Sequence, residues 1–288
     1  MPNRFRLLGA MGIFGTIGIF VRYISLPSPT IAFIRGVLGV VFLIMVMVCT
    51  RQHPAWNAIR KNFLLLILSG GAIGINWVLL FESYRYTTVA IATICYYLAP
   101  LFLILMSPLL GERLNAKKLL CVGAAFAGMV LLSGITEGAQ AQGSNLRGIL
   151  LASGAAVFYA SVMLMNKKLS PIPAYDKTIV QLSAAALVIL PYLLFTSGLS
   201  LQGLTAVQWV LLAVVGIVHT GIAYAMYFGA IKDLPAHTIA IFSYLDPVLA
   251  VILSTLILKE PLSIWGICGA VLILGSALYS ELPERNKV

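Results

Sequence analysis

The strongest constraint on the fold is a pattern that occurs twice, half a chain apart. Residues 97–100 read Tyr-Leu-Ala-Pro and open an apolar stretch that ends at Glu112, and residues 244–247 read Tyr-Leu-Asp-Pro and open another that ends at Glu260. The copies are offset by 147 residues at the tyrosine and by 148 at the glutamate, in a chain of 288 residues. Two copies of one structural unit are therefore expected, and an internal repeat of this size is typical of secondary transporters.

The composition places this repeat in a membrane. Sixty per cent of the residues are hydrophobic, 10% are charged and the mean hydropathy is +1.00, more apolar surface than one water-soluble core could enclose. Stretches long enough to cross about 30 Å of hydrocarbon occur at 7–26, 30–49, 63–84, 88–110, 118–135, 148–166, 178–197, 207–231, 236–258 and 262–280. The sequence predicts an all-α integral membrane protein with ten transmembrane helices.

The basic residues indicate the topology. The formal net charge is +10, and with a cytoplasmic N-terminus fourteen of the nineteen Lys and Arg residues lie on the inner side, four on the outer side and Arg35 within a span. This bias predicts both termini in the cytoplasm of a plasma (inner) membrane, and it accounts for the charge without a nucleic-acid partner. The polar stretch 137–145 predicts a division into one five-helix repeat at 1–137 and another at 146–288.

An odd number of spans in each repeat has a geometric consequence. Five crossings bring the second copy into the membrane from the opposite side, so the two five-helix repeats are expected to be inverted and to alternate access to a central site. Pro100 and Pro247 fall within matching spans, where proline removes a backbone hydrogen bond and clashes with the carbonyl four residues earlier. The paired kinks are candidates for gating; static bends tolerated by neighbouring helices are the alternative.

Polar and aromatic side chains near mid-depth are candidate substrate ligands, because polar groups inside a membrane are costly. They are Asn76, Trp77, Tyr96, Tyr97, Tyr159, His219, Tyr244 and Asp246. The set predicts an aromatic-walled cavity for a small organic molecule, whose ammonium group the rings could hold. Asp246 stands where the first copy has Ala99; it is expected to bind a proton or a cationic group in turn, unless a neighbouring Lys or His fixes it or it caps a helix broken at Pro247. His219 is either a proton relay or a neutral side chain bonded between helices.

Charged residues nearer the helix ends are candidate gating groups. Arg35 and Glu82, with Arg22, could close an external gate by ion pairing or extend to the lipid headgroups. The depth of Arg35 within its span favours a pair with Glu82. Glu112 and Glu260, each beside a basic residue, are interpreted as local helix-end contacts rather than ligands.

Patterns typical of enzymes are missing from the sequence. The four cysteines are isolated in apolar surroundings and predict no metal site, redox couple or cofactor. The sequence contains no His-Glu-x-x-His, Gly-x-Ser-x-Gly or P-loop pattern, and no two carboxylates share mid-depth. No catalytic residue is therefore expected, an intramembrane enzyme is the weaker hypothesis, and without a nucleotide-binding domain direct ATP drive is not expected.

Several motifs recur in the order of a known family. Pro29 and Arg35 open the second span, Tyr-Arg-Tyr-Thr ends the third at 84–87, and Glu-Arg-Leu follows Pro100 at 112–114. The second half repeats the series with Ala-Ile-Lys at 230–232, then Pro247, Glu260 and Leu262. In these features the whole chain resembles the ten-helix branch of the drug/metabolite transporter superfamily, which is built from two EamA domains.

The resemblance implies transport but leaves the cargo open, since family members export amino acids and other metabolites or carry sugars, nucleotide-sugars and choline-like amines. The leading hypothesis is a secondary active transporter that exports a small polar or amphipathic metabolite, an amino acid or related amine. A proton or another ion is a candidate for coupling, and a monomer or homodimer is expected in the lipid bilayer. The alternatives are an uptake carrier or facilitator for a choline-like cation or another metabolite, and a channel.

Overall fold

The computed structural model describes residues 3–110, 116–132, 143–195, 201, 203–231, 234, 242–260 and 262–281, and within these ranges it contains helices and no strand. Its α-helices are α1 Asn3–Arg22, α2 Ser28–Cys49, α3 Trp56–Ser83, α4 Val89–Tyr96, α5 Ala99–Met106, α6 Ala116–Leu132, α7 Gly143–Lys167, α8 Ala174–Phe195, α9 Ala206–Gly216, α10 Ala223–Ile231, α11 Leu245–Ile257 and α12 Ile264–Glu281. A 3₁₀ turn at Ser107–Leu110 extends α5, and a π-helical turn at Ile217–Ile222 joins α9 to α10.

These helices form ten spans in the described part of the chain. Seven segments are long and apolar enough to cross a membrane, with α4–α5 and α9–α10 each acting as one segment. The apolar helices α11 and α12 are shorter, and α6, which has 17 residues, completes the set. The prediction of an all-α integral membrane protein with ten helices is confirmed.

Helix ends differ from the predicted ones where local chemistry decides them. The first helix ends at Arg22 rather than 26, because Pro27 disfavours helical backbone at the residue before it. The third begins at Trp56, seven residues before the predicted 63, since its first turns are polar and extend beyond the apolar stretch. The motif residues 112–114 and Lys232, the polar stretch at 137–142 and the start of the ninth span lie outside the described residues.

The two halves of the chain pack against each other along their length. Helix α3 of the first half contacts α7 and α8 of the second, α1 contacts α10 and α11, and α6 lies along α12. Small residues allow these close approaches: a Cβ added to Gly128 would lie 2.7 Å from the carbonyl oxygen of Gly269, and one added to Gly70 would lie 2.5 Å from that of Gln181. Such contacts hold helices together in lipid, where apolar burial alone contributes little.

Candidate functional site

Both repeats contain a helix that breaks next to a proline. In the first, a turn at Tyr97 and Leu98 separates α4 from α5; in the second, a turn at Tyr244 precedes α11. Tyr97 and Tyr244 each lie three residues before the proline, Pro100 or Pro247. The prolines therefore interrupt the helices at matching positions, as expected for a residue that cannot donate a backbone hydrogen bond and clashes with the preceding turn.

The two breaks contact each other through one hydroxyl group. The Tyr97 hydroxyl oxygen lies 2.9 Å from the carbonyl oxygen of Ser243 and 3.0 Å from Oδ2 of Asp246. Ser243 precedes Pro247 by four residues, so its carbonyl is the one from which the proline withholds a helical hydrogen bond. The rings of Tyr97 and Tyr244 lie 5.9 Å apart. The broken helix of the first repeat thus completes the hydrogen bonding of the broken helix of the second.

The Tyr97 hydroxyl carries a single hydrogen, which limits what it can satisfy. Beside an ionised Asp246 it donates either to the carboxylate or to the Ser243 carbonyl. Beside a protonated Asp246 it can accept the carboxyl hydrogen and donate its own to the carbonyl. The hydrogen bonds that join the two repeats therefore depend on whether Asp246 carries a proton.

Aromatic side chains extend from this contact into the bundle. The Tyr96 ring lies 6.4 Å from that of Tyr97 and stacks on Tyr159 of α7 at 5.4 Å. Tyr159 is 39% exposed, and Tyr96 and Tyr97 are half-buried. Asn76, by contrast, is buried and donates to the Ala155 carbonyl at 2.6 Å, so it joins α3 to α7. The structure brings the tyrosines and Asp246 together and places Asn76 behind them.

Arg35 lies in a second polar contact, on the aromatic faces of α3. The guanidinium carbon lies 4.1 Å from the Trp77 ring centroid and 5.5 Å from that of Phe81, and Nε donates to Thr220 Oγ1 at 2.6 Å. The Arg35 side chain is only 5% exposed. Among the residues that the structure describes, no carboxylate lies within ion-pairing distance of it. Arg35 is therefore a buried cation held by aromatic rings and a hydroxyl group.

The ion pair predicted between Arg35 and Glu82 is not formed. Glu82 instead accepts a hydrogen bond from Ser28 Oγ at 2.7 Å and pairs with Arg85 at 3.3 Å. Ser28 begins α2 and Arg35 follows it by seven residues, which is about 10 Å along a helix. The two predicted gating residues therefore lie at different depths.

A π-helical turn presents two further polar side chains. Thr220, which accepts from Arg35, donates to the Val215 carbonyl at 3.1 Å. His219 is 1% exposed; its Nε2 lies 2.8 Å from Thr16 Oγ1 and its Nδ1 3.3 Å from the Val214 carbonyl. The Thr16 hydroxyl also lies 2.8 Å from the Ile13 carbonyl, so its single hydrogen serves either that carbonyl or His219 Nε2. His219 thus joins α9 to α1, apart from the tyrosines, although π turns often mark functional positions.

A carboxylate from the second repeat closes one end of the bundle. Glu260 pairs with Arg22 at 3.4 Å, and its Oε2 accepts from the backbone nitrogen of Val89 at 3.1 Å and from Ser254 Oγ at 2.7 Å. Val89 begins α4, where a negative charge is favoured by the helix dipole. Glu260 therefore contacts both repeats instead of forming the local contact expected from sequence. The sequence held one signal for this role, because Glu260 recurs as the counterpart of Glu112 in the repeat.

Sequence reasoning also missed aromatic residues on α1 and α10. Tyr224 and Tyr227 surround Phe14, with ring centroids 5.5 and 6.4 Å from it. Tyr224 also lies close enough to Arg35 and Tyr96 to interact with them electrostatically. The signal was present in the repeat, because Tyr224 follows Trp77 by the same 147 residues that separate the two turn tyrosines.

The described residues include no group of His, Cys, Asp or Glu side chains that could hold a metal ion. All four cysteines are free thiols: Cys95 and Cys121 are buried, and Cys49 and Cys268 are exposed.

The tyrosine cluster with Asp246 offers two kinds of chemistry. It can bind organic groups on aromatic faces, and it can exchange a proton or a cation at Asp246.

Comparison with known sequences finds the same duplication. The profile of the EamA-like transporter family matches the chain twice, over residues 5–134 and 146–280. Each match contains five of the ten helical spans.

Similar proteins are also described as transporters. An uncharacterized transporter, YxxF of Bacillus subtilis, is 31% identical over 98% of this chain and 90% of its own length. The aromatic amino acid exporter YddG of Ancylobacter novellus is 26% identical over 75% of each chain. A solved crystal structure aligns with a TM-score of 0.65 over 97% of this chain and 96% of the other, at 20% sequence identity, which is a likeness of fold.

Proposed function

Because the chain belongs to the EamA-like transporter family, we propose that it is a secondary active transporter that exports an amino acid or a related amine. The observation that carries this proposal is the junction of the two broken helices, where Tyr97 reaches Asp246 inside a cluster of tyrosines. A carboxylate among aromatic faces suits an ammonium group, by charge and by cation–π attraction.

Alternating access is proposed as the mechanism. The five-span repeats contact each other along most of their length, and the Pro100 and Pro247 breaks meet where inverted halves would form a central site. Rocking of one repeat against the other would break the Tyr97 contacts and the Glu260 contacts alternately. The division at 1–137 and 146–288 and the inverted arrangement are part of this proposal.

The choice of cargo rests on site chemistry and on one relative. YddG of Ancylobacter novellus carries the name of an aromatic amino acid exporter, which agrees with the aromatic cluster. A choline-like cation is the second candidate, because Asp246 and the tyrosines alone would suffice to bind it. A quaternary amine and an amino acid compared side by side distinguish the two.

A thermal-unfolding screen of the purified protein in detergent identifies the cargo class. Ligands that bind the folded protein raise its unfolding temperature by mass action. Amino acids or amines are expected to stabilise the wild type and to lose this effect in Asp246→Asn. Stabilisation by sugars or nucleotides alone would overturn the proposed cargo.

Transport in proteoliposomes tests the site itself. Asp246→Asn and Tyr97→Phe are expected to slow counterflow while membrane insertion stays normal. Asp176→Asn is the matched control, since Asp176 is 3% exposed and accepts a hydrogen bond from the Ala55 backbone in the first turn of α8, whereas Asp246 is half-buried at the junction of the broken helices. Wild-type rates in both site variants would refute the assignment.

Coupling and orientation complete the proposal. Proton coupling at Asp246 is supported by the dependence of the Tyr97 hydrogen bonds on the carboxyl proton. It predicts that an imposed pH gradient drives cargo uphill in the wild type and fails to do so in Asp246→Asn. The charge bias supports a plasma membrane protein with both termini in the cytoplasm; labelling of single cysteines from either side tests that orientation.

A further inference from the structure

We propose that Arg35 binds a carboxylate of the transported molecule, rather than acting as a gate. The proposal rests on the transport function above and deepens it, because it requires the transported molecule to carry an acidic group. Arg35 is 95% buried, yet within the described residues it lacks a carboxylate partner.

Only one edge of the guanidinium group is in use. Nε donates to Thr220, and the flat face lies against Trp77. Neither terminal nitrogen has a hydrogen-bonding partner among the described residues, and neither is a fully occluded polar atom. Both therefore keep unused donors and a small accessible area. The Nη1 and Nη2 edge of an arginine matches the two oxygens of a carboxylate.

The contact with Thr220 does not itself need a positive charge. A neutral side chain makes a similar contact in the second repeat: Gln181, one residue before the position that the 147-residue offset assigns to Arg35, donates to Ser69 Oγ on the third span of the first repeat at 2.7 Å. Arg35 is the eighth of the 22 residues of α2, and a charged side chain within a transmembrane helix is costly. An amide such as that of Gln181 would serve the packing here. The presence of a cation at Arg35 therefore indicates that its positive charge has a function.

Asp246, which carries the opposite charge, lies near the same tyrosines as Arg35. Tyr84 and Tyr96 are each close enough to interact electrostatically with both Arg35 and Asp246, whereas Arg35 and Asp246 form no ion pair. Arg35 and Asp246 therefore both lie near these tyrosines without forming an ion pair with each other. A molecule with a carboxylate toward Arg35, an ammonium toward Asp246 and an apolar body against the rings complements all three features.

The test uses four ligands that share an indole ring: L-tryptophan, its methyl ester, tryptamine and indole-3-propionate. Their dissociation constants are measured with the purified wild type, Arg35→Gln and Arg35→Lys. Arg35→Gln is expected to weaken tryptophan and indole-3-propionate on the order of 10- to 100-fold and to leave tryptamine and the ester unchanged. Arg35→Lys should restore part of the loss, since it keeps the charge but not the paired donors.

Arg147→Gln is the matched control. Its guanidinium carbon also lies over an aromatic ring, 4.3 Å from the centroid of Tyr86, but at the start of α7 and away from the tyrosine cluster. All four affinities should stay at wild-type values in this variant. Equal weakening of all four ligands in Arg35→Gln would indicate a packing role and overturn the proposal.

Two further measurements distinguish failure of the Arg35 contact from failure of the proposed cargo. In the wild type alone, the ester should bind more weakly than the free amino acid, and equal affinity would refute a carboxylate contact even if the variants failed to fold. Benzoate, lactate and succinate are screened in parallel. If no amino acid binds but these acids stabilise the wild type and not Arg35→Gln, the cargo proposal fails and the inference stands. If no carboxylate stabilises the wild type, the inference is wrong.

Discussion

Removal of the Tyr97 hydroxyl group probes the contact between the two broken helices most directly. Tyr97→Phe keeps the ring on Tyr96 and Tyr244 and deletes the one donor that lies within 2.9 Å of the Ser243 carbonyl and 3.0 Å of Asp246. Hydrogen bonds between membrane helices contribute about 0.6 kcal/mol on average and up to about 1.7, and bonds to charged groups about 1.5–3. We expect the free energy of unfolding to fall by about 1–2 kcal/mol.

Reversible SDS-induced unfolding in mixed micelles measures this change. Tyr175→Phe is the control, because that hydroxyl lies 3.5 Å from its acceptor, the Ala225 carbonyl, and should cost less than about 0.5 kcal/mol. A double-mutant cycle with Asp246→Ala, the residue found at position 99, should give a coupling of about 0.5–1.5 kcal/mol. A loss no larger than that of Tyr175→Phe, or strict additivity with Asp246→Ala, would refute the reasoning.

Two other contacts make separate predictions. Gly70→Ala should lower the free energy of unfolding by about 1–3 kcal/mol, because the new Cβ meets the backbone of α8 at 2.5 Å. Gly123→Ala, with nothing within 4 Å of the new Cβ, should cost nothing in the same SDS-unfolding assay. In a background without exposed cysteines, Glu260→Gln should speed the alkylation of a cysteine placed at the buried Val89 position several-fold. Glu82→Gln is the control and should not speed it, because the pair of Glu82 with Arg85 is more exposed. Equal alkylation rates in the two variants would contradict the role given to the Glu260 contacts.

The sequence predicts the spans and the helix breaks because both are local properties. Hydropathy over about 20 residues identifies a crossing, and a proline interrupts a helix whatever surrounds it. Pro100 and Pro247 could therefore be recognised from the chain alone. The π turn at Ile217–Ile222 could not, since nothing in its sequence forbids an ordinary α-helix and tertiary contacts such as that between Thr220 and Arg35 accompany it.

Partners of the polar residues were harder to predict than their depth. The interpretation of Arg35 and Glu82 as a pair failed because depth along a helix does not give the direction of a side chain. The structure directs Arg35 toward Trp77 and Thr220. The contact between Tyr97 and Ser243 joins residues 146 apart in the sequence, and only the packing of the two repeats brings them together.

The charges that distinguish the repeats have an energetic consequence. In the proposed mechanism, identical inverted halves would make the inward-facing and outward-facing conformations equivalent by a two-fold rotation and therefore equal in free energy. Here Asp246 takes the position that Ala99 has in the first repeat, and Arg35 takes the position that Leu182 has in the second, so that equality is lost. A difference of only about 1.4 kcal/mol would populate one conformation tenfold over the other. Each of these charges would also respond to the membrane potential, at about 2.3 kcal/mol per charge that crosses 100 mV. In such a protein Arg35 and Asp246 contribute, together with the cargo, to the free-energy difference that decides which conformation is populated at rest.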